Sequence, residues 1–142
     1  MAEISSETLH ASCVAIGGRA VLIEGSSGEG KSDLALRLID RGAALVSDDY
    51  TLCRRDAGIL LASPPPTIAG KIEVRGIGIV EMPHVEHCPV ALLVTILDTP
   101  PRLPEGSSTR RIAGIDVPEL ALPALEASAP IKVEIALRTL AA

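Results

Sequence analysis

The stretch that decides the fold is Gly25-Ser26-Ser27-Gly28-Glu29-Gly30-Lys31-Ser32, a complete G-x-x-x-x-G-K-S. Ahead of it, residues 20–23 (Ala-Val-Leu-Ile) form a short apolar run of strand type. Behind it, residues 31–41 place Leu34, Leu38 and Arg37, Arg41 at helical spacing, and Gly42 stands where a left-handed cap is expected. Strand, glycine-rich loop and amphipathic helix in that order predict a phosphate-binding loop. The glycines let successive backbone N–H groups turn inward toward phosphate oxygens, and the helix N-terminus adds partial positive charge. Lys31 is suited to the β- and γ-phosphates, and the Ser32 hydroxyl to Mg²⁺. The motif predicts nucleotide binding and is silent on what is done with the nucleotide.

Upstream, residues 10–16 and 20–23 are apolar runs separated by Gly17-Gly18-Arg19, which reads as a β-hairpin. Downstream, residues 44–47 read as a buried strand ending in Asp48-Asp49, and residues 51–61 as a hairpin around Asp56-Ala57-Gly58. After Pro64-Pro65-Pro66, residues 68–74 are expected as a strand, and residues 76–80 as a flexible loop feeding a buried segment. Residues 90–97 are the clearest central strand. Residues 98–110, rich in proline and serine, read as a mobile loop. Residues 111–118 give one more strand, and residues 131–140 a helix with Val133, Ala136, Leu137 and Leu140 on one face. The expected class is α/β (α+β), a mixed β-sheet with few helices.

Composition narrows the function further. The 142 residues carry a net charge of −5 and are 47% hydrophobic, with no Phe, no Trp and one Tyr, Tyr50. An acidic chain lacks the basic face that duplex DNA requires, and without aromatic platforms it cannot stack single-stranded bases. No nucleic-acid partner is expected. Apolar runs are strand-length, so no membrane span is expected either. Three cysteines at wide spacing make no disulfide framework, and no signal-like segment opens the chain. A cytoplasmic protein is expected.

Asp48-Asp49 closes a buried strand shortly after the phosphate loop. In phosphate-loop proteins the strand after the first helix often lies beside the loop, with its carboxyl end toward the nucleotide. One carboxylate is then available for proton transfer and the other for the metal side. No N-K-x-D guanine-reading motif is present, and there is no long transporter-ATPase signature. A small kinase remains. His10-x-x-Cys13 and His84-x-x-His87-Cys88 also have metal-ligand spacing, so a structural zinc is a second reading.

Four ordered motifs then give the chain a family likeness. Leu9-His10-Ala11 resembles the Met-His-Gly segment of the HPr kinase/phosphorylase family, bacterial enzymes that phosphorylate a serine of the phosphocarrier HPr. The loop resembles the family's G-x-S-G-x-G-K-S-E, and Val46-Ser47-Asp48-Asp49 is similar to its Val-Ala-Asp-Asp. Residues 72–79 resemble the signature Glu-Ile-Arg-Gly-Leu-Gly-Ile. The likeness runs over residues 10–140 and implies a phosphate-loop kinase core of the HPr kinase/PEP carboxykinase-like type, with residues 1–9 an N-terminal tail.

The resemblance implies an ATP- and Mg²⁺-dependent protein serine kinase of the phosphotransferase system. Its partner would be an HPr-like phosphocarrier protein, and the family's assembly implies a homo-oligomer, typically a hexamer. It gives Asp49 the role of base toward the substrate serine, and Asp48 that of its metal-side or orienting neighbour. It places His10 near the aspartates, Glu73 with Ser32 around Mg²⁺, and Arg102 against the transferring phosphate. A catalytically idle nucleotide sensor, signalling through residues 98–110, is the alternative.

Departures bear on the reverse reaction, dephosphorylation by phosphorolysis. The family's Pro-Val-Arg-Pro-Gly-Arg-Asn segment stands here as Leu122-Pro123-Ala124-Leu125-Glu126-Ala127-Ser128-Ala129-Pro130, without either arginine. Arginine is the residue suited to a phosphate dianion, so kinase activity is the expectation, and dephosphorylation by phosphorolysis stays open as a second activity. The family's N-terminal domain has no counterpart in these residues, which implies a catalytic core alone.

Overall fold

A computed structural model describes residues 5–25, 30–99 and 108–140. Eleven strands and two helices follow in the order β1 (Ser6–Leu9), β2 (Ala11–Ile16), β3 (Arg19–Glu24), α1 (Lys31–Asp40), β4 (Ala44–Ser47), β5 (Thr51–Asp56), β6 (Ile59–Ser63), β7 (Lys71–Val74), β8 (Gly78–Glu81), β9 (Cys88–Ile96), β10 (Ser108–Ile112), β11 (Ile115–Leu122) and α2 (Ala129–Leu140). Nine strands share one mixed sheet, with the path β1-β5-β6-β9-β3-β2-β4 and β11 added to β9. β9 is its spine. It runs parallel to β3 on one edge, while its other edge takes β6 at Pro89 and β11 from Leu93 onward.

Period-two alternation along the strands builds two cores. Val21 and Ile23 of β3, with Leu92, Val94 and Ile96 of β9, face α1 and α2, where Leu34, Leu38, Val133 and Leu137 meet them. The intervening Ala20, Leu22 and Leu93 face the other way, against Cys13, Cys53, Leu60, Ala62, Ile112 and Val117. Both cores are aliphatic, as a chain without Phe or Trp requires.

The hairpin β2–β3 forms as expected, with Gly17 and Gly18 both at positive φ in the turn. α1 ends as predicted. Gly42 takes φ 113, its N–H reaches the carbonyl of Ile39, and that of Ala43 reaches Leu38, a Schellman arrangement. Arg41 at that end forms a two-pronged ion pair with Glu134, tying α1 to α2.

Several elements depart from expectation. Ser6–Leu9 is not a tail but a strand, paired antiparallel with β5 because its backbone completes that edge. Residues 66–68 form a single 3₁₀ turn that begins on the last of the three prolines, so β7 starts only at Lys71. Residues 78–81 are a strand, β8, where a flexible loop was expected over 76–80. They pair with β7 in a separate two-stranded sheet, where Ile77 and Ile79 are exposed. Residues 111–118 divide into two strands about the Ala113-Gly114 turn, and residues 108–110 of the expected mobile loop belong to β10. Leu140 lies exposed at the end of α2, while Val133 and Leu137 make the buried stripe. Among the described residues no helix is long and apolar enough to cross a membrane.

Leu38 is fully buried between α1 and the sheet. Leu38→Ala should lower unfolding free energy by about 2–5 kcal/mol, through lost burial and a residual cavity, as read by urea denaturation. Burial also pushes the Cys53 thiol up to about 12, with Glu7 adding to the effect, and burial raises the thiols of Cys13 and Cys88 as well. An acid whose pKa is higher folded than unfolded holds its proton longer in the native state. The resulting stability is complete below about pH 9 and declines as pH rises toward 12. At pH 8 the native thiols should resist an aromatic disulfide reagent, and all three should react once the chain is denatured.

Candidate functional site

The phosphate loop leaves the end of β3 at Gly25 and re-enters regular structure at Gly30. Gly30 precedes α1 with φ 98, a left-handed conformation that favours glycine, and its carbonyl accepts the first helical N–H, from Leu34, at 2.9 Å. Lys31 is buried, and its ammonium donates to the Gly25 carbonyl at 2.9 Å. The two ends of the loop are thereby joined by the lysine that the motif assigns to phosphate. Ser26, Ser27, Gly28 and Glu29, expected to bind the nucleotide, lie outside the described residues, as does Arg102.

Asp48 sits where β4 ends against the start of α1. β4 is not the sheet neighbour of β3, as the general phosphate-loop pattern suggests; β2 lies between them, antiparallel to both. The carboxyl end of β4 still reaches the loop. Ser32 Oγ donates to Asp48 Oδ1 at 2.6 Å, and Ser12 Oγ, from β2, donates to the same oxygen at 2.8 Å. The backbone N–H of Glu73, in β7, donates to Oδ2 at 2.9 Å. A buried carboxylate must be matched by donors, and Asp48 draws them from three separate elements.

Asp49 is placed differently. Its φ of 69 turns the chain sharply, a conformation Asp tolerates better than most residues, and its carboxylate is 58% exposed. Among the described residues that carboxylate contacts only His10, whose Nε2 lies 2.9 Å from Oδ1. The His10 ring stacks on Tyr50 at 4.8 Å, 19° from parallel, which fixes the imidazole over the turn. The pair is thus divided: Asp48 has both oxygens occupied, and Asp49 presents its carboxylate at the surface.

An open cavity of about 900 Å³ joins these groups. Lys31, Ser32, Asp48, Asp49 and Glu73 line it, with Lys71 and Arg75 on the β7 side and Ile79 and Leu125 among its apolar walls. The sequence-assigned residues His10, Lys31, Ser32, Asp48, Asp49 and Glu73 therefore converge on one region, all but His10 lining the cavity itself. Ser32, Asp48 and Glu73 offer hard oxygen donors, which fit a Mg²⁺ ion held by one or two carboxylates plus phosphate.

The zinc spacing does not assemble. Cys13 points into the second core, His84 Nε2 pairs with Glu86 at 2.9 Å, and His87 Nδ1 lies 3.3 Å from the Ser63 hydroxyl. Among the described residues no group of three or more His, Cys, Asp or Glu side chains could hold a metal.

Motif reasoning does not reach Ser12. Its signal is a polar residue inside an otherwise apolar strand, on the face shared by Val14 and Ile16. Nor does it reach the ion pair at the foot of the loop, where Arg110 of β10 grips Glu24 of β3 through two hydrogen bonds of 2.6 and 3.2 Å. Arg110 also donates to Glu119 of β11 at 3.2 Å.

Residues 2–140 match the family described as HPr Serine kinase C-terminal domain. An HPr kinase/phosphorylase of Lacticaseibacillus casei is 32% identical over 129 residues, covering 82% of this chain and 40% of the relative. A Clostridium botulinum HPr kinase/phosphorylase is 44% identical over 81 residues, covering 56% of this chain and 27% of the relative. The solved structure of the Hpr(Ser) kinase/phosphatase from Coxiella burnetii superposes with a TM-score of 0.81 at 32% identity, covering 94% of this chain and 95% of that one. The chain spans about two fifths of the length of the first of these curated relatives.

Proposed function

The chain belongs to the HPr serine kinase C-terminal domain family, and on that premise we propose that it transfers the γ-phosphoryl group of ATP to a serine of an HPr-like phosphocarrier protein. The observation that carries the reading is the division of the aspartate pair. Asp48 is fixed by Ser12, Ser32 and the Glu73 N–H, while Asp49 stands exposed beside His10 at the cavity rim.

A serine hydroxyl is a weak nucleophile and needs an acceptor for its proton as the bond to phosphorus forms. Asp49 has the accessible carboxylate for that task. The serine oxygen bonds to the γ-phosphorus, the bridging bond to ADP breaks, and the serine proton passes to Asp49. His10, against Oδ1 and held by Tyr50, orients the carboxylate so that the acceptor faces the cavity. Lys31 supplies positive charge where the phosphates enter, and Arg102 is assigned the transferring group by resemblance. Ser32, Asp48 and Glu73 would hold Mg²⁺, which when bound neutralises charge on the phosphates.

The forward direction is favoured over phosphorolysis. Leu125 is 79% exposed at the cavity edge, in the segment where the family carries arginine. The nearby Arg37 is committed elsewhere, to Asp33 and to the carbonyl oxygens of Ala124 and Glu126. No guanidinium of that segment is left to grip a phosphate dianion. Pyrophosphate formation from phosphorylated partner plus inorganic phosphate should therefore run at least ~10-fold below the forward rate, given what charge-assisted arginine contacts contribute.

The kinase reading is tested by labelled ATP and purified HPr-type proteins. Asp49→Asn, which keeps the side-chain shape and tolerates the same backbone, should lower transfer by about 10²–10⁴-fold while ATP affinity changes less than ~3-fold. Near-normal transfer by that variant removes Asp49 from the base role. ATP binding by a folded wild-type chain with no transfer to any such partner selects the nucleotide sensor instead.

A further inference from the structure

We infer that Ser12 is a positioning residue, its single hydroxyl holding both members of the aspartate pair in register whether or not nucleotide occupies the loop. The inference rests on the kinase reading for its consequence in catalysis, but not for the geometry. Ser12 Oγ donates to Asp48 Oδ1 at 2.8 Å and accepts the backbone N–H of Asp49 at 3.2 Å. One side chain thus touches the buried carboxylate and the turn that displays the exposed one.

Its location argues against an incidental contact. Ser12 is fully buried, pairs with Ile23 across the β2–β3 ladder, and lies on the strand face whose other members, Val14 and Ile16, pack in the first core. An apolar residue there would add burial, and an unbonded hydroxyl would cost free energy. A serine is accommodated because both its donor and an acceptor lone pair are used. The β2–β4 ladder shifts register between Cys13 and Val14, opposing Cys13 to Ser47, so that the next step along β4 brings Asp48 to Ser12. The backbone irregularity and the hydroxyl act on the same turn.

Ser12 differs from Ser32 in one respect that decides its role. Ser32 belongs to the phosphate loop, and its hydroxyl is the group the loop motif offers to a metal. Ser12 lies outside the loop in the sheet. Its hold on Asp48 and on the Asp49 amide persists when Ser32 changes partner. The left-handed Asp49 has its N–H bonded to this hydroxyl, and the adjacent Tyr50 N–H bonded to the Asp48 carbonyl at 2.8 Å.

Ser12→Ala and Ser12→Thr in the full chain test this with two readouts. Hydrogen exchange is followed in nucleotide-free protein at the Asp49 amide and at the core amides of Leu22 and Leu93. Phosphoryl transfer to an HPr-type protein gives kcat and the KM for ATP. The alanine variant should speed Asp49 exchange by about five- to tenfold, the size of one lost hydrogen bond, and leave the core amides unchanged. It should lower kcat about 10-fold or more with the KM for ATP within ~3-fold, since a misplaced base costs transition-state rather than ground-state binding. Threonine, which keeps the hydroxyl, should restore both. Unchanged Asp49 exchange in Ser12→Ala overturns the inference, as does unchanged kcat. A loss that threonine does not restore, with core amides also speeding, assigns Ser12 to general packing and overturns it too. If wild-type protein transfers no phosphate, the kinase reading fails, and the exchange readout still decides whether Ser12 holds the pair.

Discussion

The carboxylate of Asp48 is the constraint on which the site depends. Within the fold it is the point where β2, the start of α1, the end of β4 and β7 meet, because each sends a donor to it or carries it. A buried charge without partners would be costly enough to take up a proton instead. With three donors it becomes a fixed node. The loop residue Ser32 and the signature residue Glu73, 41 positions apart in sequence, are located relative to each other through that node rather than by direct contact. Removing one donor leaves the carboxylate less well matched and loosens the others' common reference, so the consequences at these positions should not add.

Environment, and not chemistry alone, separates the two aspartates. They are the same residue type, adjacent, at the end of one strand. A strand continuing past Ser47 would simply alternate them between the two faces. The left-handed turn at Asp49 breaks that alternation and lifts its carboxylate to the surface, while Asp48 stays beneath the helix start. One carboxylate is then held at both oxygens by three donors, and the other stands exposed beside His10. Two like groups acquire two environments without any change of residue, the condition under which neighbouring carboxylates can take different acid–base roles.

The β2–β3 hairpin, the glycine-capped α1 and the central β9 were legible in the sequence because each is specified locally, by turn glycines, helical spacing or an apolar run. Ser6–Leu9 was not, since a polar four-residue segment becomes a strand only by pairing with β5, more than forty positions away. The Gly76–Val80 run, expected as a flexible loop, misleads for a related reason: residues 78–80 become strand only by pairing with β7, in a hairpin outside the main sheet. At the site, motifs single out Lys31, Ser32, Asp48, Asp49 and Glu73, which line one cavity, whereas no motif singles out Ser12. Its importance depends on what lies across the ladder, and a one-residue register shift determines that.

The site's parts are not equally anchored. Ser12, Asp48 and the α1 start stand on elements packed against the first core, so their positions are fixed by burial that extends well beyond the site. Glu73 and Arg75 stand on or beside β7, in a two-stranded sheet of the kind that is marginal by itself. That hairpin is held in place by Ile72 buried in the first core, with Val74, Val80 and Met82 packed against it, by the Val85 N–H on the Leu45 carbonyl beside a bridge between Leu45 and His84, and by the Glu73 N–H on Asp48. Of these, the last ties the hairpin to Asp48. The same carboxylate that positions the loop serine therefore also fastens the less stable wall of the cavity. Opening of that wall is opposed at this carboxylate, whose Oδ1 takes the α1 and β2 hydroxyls and whose Oδ2 takes the β7 amide.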